Sequence, residues 1–184
     1  MILYHASKTG GIECVEPRIS NHDKPLCYFS SKKENVCVYL SNAVEKFWLS
    51  YGFKPLDRYN KWASYGFSGD KLRIEEYYKN ALKSTYSGVF GYIYTVETNE
   101  ASKLNIPFVY ACDKPVKVLK SEYVPDAYEY IMKLIFDKAI EFKSYESLSE
   151  NELNGIKKMI EKEYEEAKTE DYKFFLKGNF DFLG

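Results

Sequence analysis

The sequence predicts an α+β fold because segments typical of strands come first and segments typical of helices come last. Short runs of β-branched and aromatic residues dominate the first two thirds of the 184-residue chain, and amphipathic runs dominate the final third. A regular alternation of strands and helices would instead have predicted a doubly wound parallel sheet. The length suits one domain whose core needs no disulfide or metal for stability.

Six segments are predicted to be strands, because each holds apolar or alternating residues between turn-forming ones. They are residues 2–5, 12–15, 26–30, 92–97, 108–112 and 116–119. Four further segments carry apolar residues at roughly helical spacing and are predicted to be helices. They are residues 32–50, 71–86, 127–142 and 150–168, and Ser31 with Glu34 predicts a capping box for the first of them.

The segments group into a core and an extension. Residues 1–124 are predicted to form an α+β core, and residues 125–184 a helical C-terminal extension packed on it, within a single domain overall. Residues 51–70 are rich in Gly, aromatic and polar residues and are predicted to be a long loop or insertion. A connection of that length is often a lid or a binding loop.

Composition restricts the class of partner. The net charge of −1 leaves no global basic field, so nucleic-acid binding is not expected. No apolar stretch approaches the ~18 residues that span a bilayer, and no signal peptide opens the sequence. The four cysteines show no C-x-x-C pair, so we expect a cytoplasmic protein with reduced thiols and predict no metal site.

Two short motifs suggest a function. Residues 4–7 (Tyr-His-Ala-Ser) end the first predicted strand, and residues 28–31 (Tyr-Phe-Ser-Ser) lie on a later strand directly before a helix. This layout resembles the ADP-ribosyltransferase superfamily, whose members often open with Tyr-His-Gly-Thr and continue with a Tyr-Phe-Thr strand. The rifampin ADP-ribosyltransferases and the RNA 2′-phosphotransferases are the branches it resembles. The resemblance implies a split antiparallel β-sheet core with flanking helices.

Two later strands extend the likeness. Residues 91–97 (GYIYTVE) look like the strand of the rifampin branch that ends in Val-Glu, and residues 113–119 (DKPVKVL) look like its Glu-Pro-Leu-x-Val-Val strand. The resemblance therefore covers about residues 1–120.

The resemblance implies NAD as cofactor and assigns residues to it. His5 would hydrogen-bond the nicotinamide ribose, the backbone of Ala6 and Ser7 would hold the carboxamide, and Tyr28 would stack on the nicotinamide ring, with Ser30 beside it. A cationic ring over an aromatic face is a favourable contact. The chain differs from the family at Ala6, where the family has glycine, and at Ser7, where it has threonine.

The resemblance also implies a carboxylate that stabilises the oxocarbenium-like centre. Glu97, Glu100, Glu122 and Asp126 all follow suitable strands, and we predict Glu100 among them. An NAD-dependent transferase of ADP-ribose to an unknown acceptor is thus the first hypothesis. A catalytically inactive member of the fold that acts as a binding or interaction module is the second, because the acid has no clear match.

Other partners follow from two further segments. His22 lies in a polar loop near Arg18 and Lys24, where it is either a solvated residue or a contact for a pyrophosphate. The charged helix over 150–168 is a solvated face in the simplest interpretation. Its apolar stripe is alternatively a surface for a protein partner; that stripe comprises Leu153, Ile156, Ile160 and Tyr164. A small-molecule nucleotide remains the main expected ligand.

Overall fold

The computed structural model of the chain describes residues 1–19 and 24–184. In chain order its strands are β1 (Ile2–Ser7), β2 (Cys14–Val15), β3 (Cys27–Ser30), β4 (Tyr65–Ser68), β5 (Lys71–Glu75), β6 (Gly91–Glu97), β7 (Ser102–Lys103), β8 (Val109–Cys112), β9 (Val116–Val124) and β10 (Glu141–Lys143). Seven of them form one antiparallel sheet in the order β2-β9-β6-β1-β3-β8-β7. The other three form a small sheet in the order β10-β5-β4, in which β10 runs parallel to β5.

The described residues contain five α-helices. They are α1 (Ala43–Ser50), α2 (Ala81–Tyr86), α3 (Ala127–Phe136), α4 (Glu150–Glu166) and α5 (Glu170–Asn179), with 3₁₀ helices over Lys33–Tyr39, Tyr145–Ser147 and Asp181–Leu183. The predicted α+β class and the helical C-terminal third are therefore confirmed. None of these helices is long and apolar enough to cross a membrane.

The predicted helix over 71–86 is wrong. Residues 71–75 form β5, and only residues 81–86 are helical. The burial of the side chains alternates with a period of two, as in a strand. Leu72 and Ile74 are buried, and Lys71, Arg73 and Glu75 on either side of them are half-buried. A two-residue turn at positions 69 and 70 joins β4 to β5, so the predicted loop over 51–70 ends at residue 64 instead.

The predicted helix over 32–50 is divided in two. The 3₁₀ helix ends at Tyr39 and α1 begins at Ala43, because the intervening residues make long-range contacts. Ser41 donates to the carbonyl of Trp62, and Asn42 accepts from Lys8. The predicted capping box at Ser31 does not form, since the 3₁₀ helix begins after Lys32 without a side-chain cap. The capping box of the molecule lies at Ser149, at the start of α4.

Three predicted boundaries also differ from the structure. The helix over 127–142 ends at residue 136, and residues 141–143 pair with β5 as β10. The strand over 12–15 shortens to two residues, and the strand over 116–119 extends to residue 124 because it pairs along most of β6.

Three apolar clusters form the core, and two of them cover the faces of the large sheet. The largest lies between one face of the large sheet, the small sheet and helices α2 and α3, and includes Ala6, Leu72 and Ile131. A second joins α4 and α5 to α1 through Trp62 and Phe175. The third covers the opposite face of the large sheet; its buried residues are Leu3, Val15, Cys27, Phe29, Val96, Ala101, Cys112 and Val116. Strand β1 therefore lies in the middle of the molecule.

Candidate functional site

The large sheet opens between its two central strands. Strand β1 pairs with β6 at six consecutive positions, and β3 pairs with β8 at four. Between β1 and β3 the register contains one pair, Tyr4 with Ser30. A continuing antiparallel ladder would next bring His5 opposite Phe29. Because no such pair forms, the second half of β1 and the first half of β3 diverge, and we call this gap the β1/β3 opening.

The imidazole of His5 bridges the β1/β3 opening. Its Nδ1 lies 2.9 Å from the carbonyl oxygen of Tyr28, and its ring meets Phe29 edge-on at 6.1 Å between centroids. A carbonyl oxygen only accepts hydrogen bonds, so Nδ1 carries the proton and donates it. In the neutral ring this leaves a lone pair on Nε2, which makes no hydrogen bond with any described residue.

The charge state of His5 follows from its surroundings. Burial lowers its pKa, while the bond to the Tyr28 carbonyl acts in the opposite direction and raises it. The nearby cations Lys61 and Arg18 lower the pKa further. The ring is therefore neutral near pH 7, and Nε2 acts as a hydrogen-bond acceptor. A hydroxyl group is a suitable donor for such an atom.

The ring of Tyr28 lies on the other face of β3 from the ring of His5. Successive side chains of a strand alternate, and Phe29, which contacts His5, belongs to the third cluster. Tyr28 therefore points toward Tyr39 and Tyr65. Burial raises the pKa of the Tyr39 phenol, and Tyr65 and then Tyr28 raise it further. The structure thus joins the His5 ring to the backbone of Tyr28, and the two rings lie on opposite faces of the sheet.

The three small residues of the two motifs have local structural roles. Ala6 is buried in the largest cluster, so its methyl group lies on the face away from the His5 ring. The hydroxyl of Ser7 accepts a hydrogen bond from the backbone N–H of Thr9 at 3.1 Å. The hydroxyl of Ser30 does the same for Lys32 at 3.1 Å. Both serines shape the turns that follow their strands.

The structure does not bring Glu100 into contact with His5. Its carboxylate pairs with Lys114 at 3.0 Å, beyond the end of β8, and raises the pKa of that lysine. Glu100 directly follows Thr98 and Asn99, which accept hydrogen bonds from the amino group of Met1, so it lies near the start of β1, while His5 lies further along that strand. The charged groups that shift the pKa of His5 are cations, and Glu100 is not among them.

Two cations near the opening lack a carboxylate partner among the described residues. Lys61 donates to the carbonyl oxygen of Tyr39 at 3.3 Å and forms no ion pair there, and Arg18 forms none either. Although Lys61 as a residue is exposed, the burial of its amino group lowers its pKa, and Lys8 lowers it further. Lys8 itself is neutralised by Glu45 at 2.7 Å. The opening is thus suited to an anionic ligand.

Sequence reasoning missed Lys61 and considered Arg18 only as a neighbour of His22. His22 lies outside the described residues, as do residues 20, 21 and 23. The sequence feature that points to Lys61 as a binding residue is its place in the segment over 51–70, which is predicted to be a lid or a binding loop. Which lysine of that loop approaches His5 depends on the path of the loop, and no local pattern encodes that path.

Metal binding finds no support in the part of the chain that the structure describes. No group of three or more His, Cys, Asp or Glu side chains there is arranged to hold an ion. Cys27 is buried, and burial with the neighbouring Cys112 raises the pKa of its thiol to about 12. A thiol with that pKa is a poor metal ligand and nucleophile near neutral pH.

Comparisons with known proteins identify no relative of this chain. The chain matches no family model, no curated protein and no solved structure.

Proposed function

We propose that the β1/β3 opening binds NAD or a related nucleotide, and that the chain is an ADP-ribosyltransferase-like protein. The observation that carries the proposal is the hydrogen bond from His5 Nδ1 to the carbonyl of Tyr28. It holds the imidazole in the opening with an acceptor nitrogen available, and a ribose hydroxyl is a matching donor. The two motif strands are neighbours in the sheet, as the resemblance to that superfamily requires.

Charge supports a nucleotide over a neutral ligand. A diphosphate group would accept hydrogen bonds from Lys61 and Arg18, which no described carboxylate neutralises. Tyr28 would supply an aromatic face for a planar ring from the opposite side of β3. Because the rings of His5 and Tyr28 lie on opposite faces of the sheet, a ligand that contacts both lies in the opening and not flat on one face.

The position of Glu100 favours the second hypothesis, a catalytically inactive binding module. A transferase of this type needs a carboxylate close to the sugar carbon that becomes positively charged. Glu100 is paired with Lys114 at the end of β8, and no carboxylate shifts the pKa of His5. Binding of the nucleotide is therefore the primary proposal, and transfer of ADP-ribose is a separate claim with its own test.

Binding is tested by the melting temperature of the protein with increasing NAD. A ligand that binds only the folded state raises the melting temperature as its concentration increases. We expect this rise in the wild type and its loss in His5→Asn, because asparagine preserves a donor toward Tyr28 and removes the acceptor at Nε2. Tyr28→Ala should also abolish the response to NAD. No rise in wild type at about millimolar NAD refutes the proposal.

The role of charge is tested by Lys61→Ala, with Lys54→Ala as the matched control in the same loop. The exposed side chain of Lys54 forms no ion pair among the described residues. Lys61→Ala should weaken the response to both NAD and ADP-ribose, because both contain the diphosphate, and Lys54→Ala should leave it unchanged. Equal loss in the two variants would show a nonspecific charge effect and count against the site.

Catalysis is tested by release of nicotinamide from NAD. Binding without release supports the inactive module. Release that is lost in Glu100→Gln supports the transferase, and release that survives in this variant excludes Glu100 as the acid.

A further inference from the structure

The outer edge of β9 is unpaired along most of its length. Strand β2 contacts it only at Val116 and Lys117, and the last backbone bond on that side is from Val118 N–H to the carbonyl of Glu13 at 2.9 Å. In residues 119–124 the strand pairs with β6 on its inner side and, among residues 1–19 and 24–184, with nothing on its outer side. The free N–H and C=O groups of such an edge are a template for another strand.

Apolar side chains accompany this edge. Leu119 is 58% exposed and Tyr123 is 55% exposed, and Phe90 lies beside Tyr123 at 6.3 Å between ring centroids. Exposed apolar groups beside a free edge indicate an interaction surface more strongly than scattered ones do. The partner is identified by the order of residues along the strand.

That order is complementary to itself. Antiparallel pairing of two β9 strands about Ser121 places Lys120 of each copy opposite Glu122 of the other. The same register brings Tyr123 of each copy toward Leu119 of the other, which lies at the β-bulge that ends the regular stretch. Shifting one strand by two residues either way sets Lys120 against Lys120, or Glu122 against Glu122, and like charges directly opposite are destabilising. One register is therefore selected.

The charges that this register requires are in place. Lys120 is exposed and forms no ion pair with any described residue. The carboxylate of Glu122 pairs with Lys33 at 2.6 Å, so in the dimer it would lie between that ammonium group and Lys120 of the second copy. A second copy would bring each Lys120 to a carboxylate and extend the sheet across a two-fold axis.

We propose that two copies of this chain associate through the outer edges of β9, paired about Ser121. A β-bulge where Leu119 is inserted relative to Thr95 and Val96 limits the regular stretch to the residues after it. The contact is therefore small, and small interfaces give weak, concentration-dependent association. This proposal is independent of nucleotide binding, because β6 separates β9 from β1.

The test is sedimentation velocity of the full chain over about a hundredfold range of concentration, since association by mass action grows with concentration. Wild type should shift from monomer toward dimer. Lys120→Glu should remain monomeric, because carboxylates then oppose Glu122, and Glu122→Lys should remain monomeric because ammonium groups oppose Lys120. Mixing these two variants should restore a dimer, since every pair across the axis then has opposite charges.

Lys117→Glu is the matched control, because Lys117 is an exposed lysine of the same strand that already pairs with Cys14 of β2. It should dimerise like wild type, and circular dichroism should show that all variants are folded. A monomeric wild type at every concentration overturns the proposal. So does a Lys117→Glu variant as monomeric as Lys120→Glu, or a mixture that contains no heterodimer.

Discussion

The two sides of β1 differ in how far they are paired. On one side six consecutive register pairs join it to β6, from Ile2 with Glu97 to Ser7 with Tyr92. On the other side a single pair joins it to β3. We call these the closed side and the open side. One strand therefore has a fully paired side and a side with a gap, and His5 extends into the gap.

The chemistry of the two sides follows from this difference. On the closed side the backbone groups satisfy one another, and the facing residue of His5 is Tyr94, which is fully buried. On the open side the carbonyl of Tyr28 accepts a hydrogen bond from the side chain of His5. Because the His5 ring donates to a backbone carbonyl, its tautomer is fixed. The open side, which holds this ring, is therefore the candidate site.

The largest expected effect is on the closed side. Ile93→Ala removes a side chain that is buried in the largest cluster, so the free energy of unfolding should fall by about 2–5 kcal/mol. Denaturant unfolding measures this loss. The variant should retain its response to NAD below its own melting temperature, since Ile93 does not contact the opening. A loss of the NAD response without loss of stability would contradict the division between the two sides.

Gly91→Ala probes how tightly the closed side is packed. A β-carbon there would lie 2.5 Å from Cδ2 of Leu40 and 3.0 Å from the backbone oxygen of Ser7. We expect a loss of about 1–3 kcal/mol in the free energy of unfolding, because an overpacked site must shift. The control is Gly155→Ala in α4, where the added carbon meets nothing within 4 Å and helix propensity should raise stability by about 0.5–1 kcal/mol. Equal effects in the two variants would refute the packing argument.

Tyr94→Phe removes the hydrogen bonds of one hydroxyl on the closed side. The phenol donates to the carbonyl oxygen of Thr9 at 2.7 Å and accepts from the N–H of Ile12 at 3.4 Å. Its removal should lower the free energy of unfolding by about 0.5–1.5 kcal/mol. Tyr92→Phe is the matched control on the same strand, because the Tyr92 hydroxyl forms no hydrogen bond with a described residue, and its effect should stay within about 0.5 kcal/mol. A larger effect in the control would show that the two phenols were assigned the wrong roles.

The smallest expected effect is a pH dependence on the open side. The pKa of His5 is lowered in the folded protein, chiefly by burial, so the unfolded chain binds the proton more readily. Stability should therefore fall as pH decreases through about 6.5, the unfolded pKa of histidine, toward the lower folded value. His5→Asn should flatten this part of the profile of unfolding free energy against pH. An unchanged profile would mean that His5 is not buried as described.

Much of the fold could be predicted from local patterns, and the errors have physical causes. The Tyr92 strand and the α4 helix were predicted because their periods are clear over several residues. The segment over 71–75 was mistaken for a helix although Leu72 and Ile74 alternate with charged residues and a Gly-Asp turn precedes them. Its charged residues are good helix formers, and pairing with β4 and β10 overrode that propensity.

The geometry of the candidate site depends on long-range properties that its sequence motifs do not encode. The resemblance selected His5 and Tyr28, which the structure joins through a backbone carbonyl. That their rings lie on opposite faces of the sheet depends on the register of Tyr4 with Ser30, a long-range property. The approach of Lys61 depends on a loop path in the same way. No sequence pattern distinguishes Glu100 from the other acidic residues that follow suitable strands.

The most direct test of the account is a long-range proton–nitrogen NMR spectrum of the histidine rings near pH 7, with and without NAD. The chain has two histidines, and His5→Asn assigns the signals. We predict that His5 is neutral with its proton on Nδ1, and that the Nε2 resonance shifts progressively as NAD is added. A proton on Nε2 instead, or an Nε2 resonance that does not move at saturating NAD, would contradict the proposed nucleotide site.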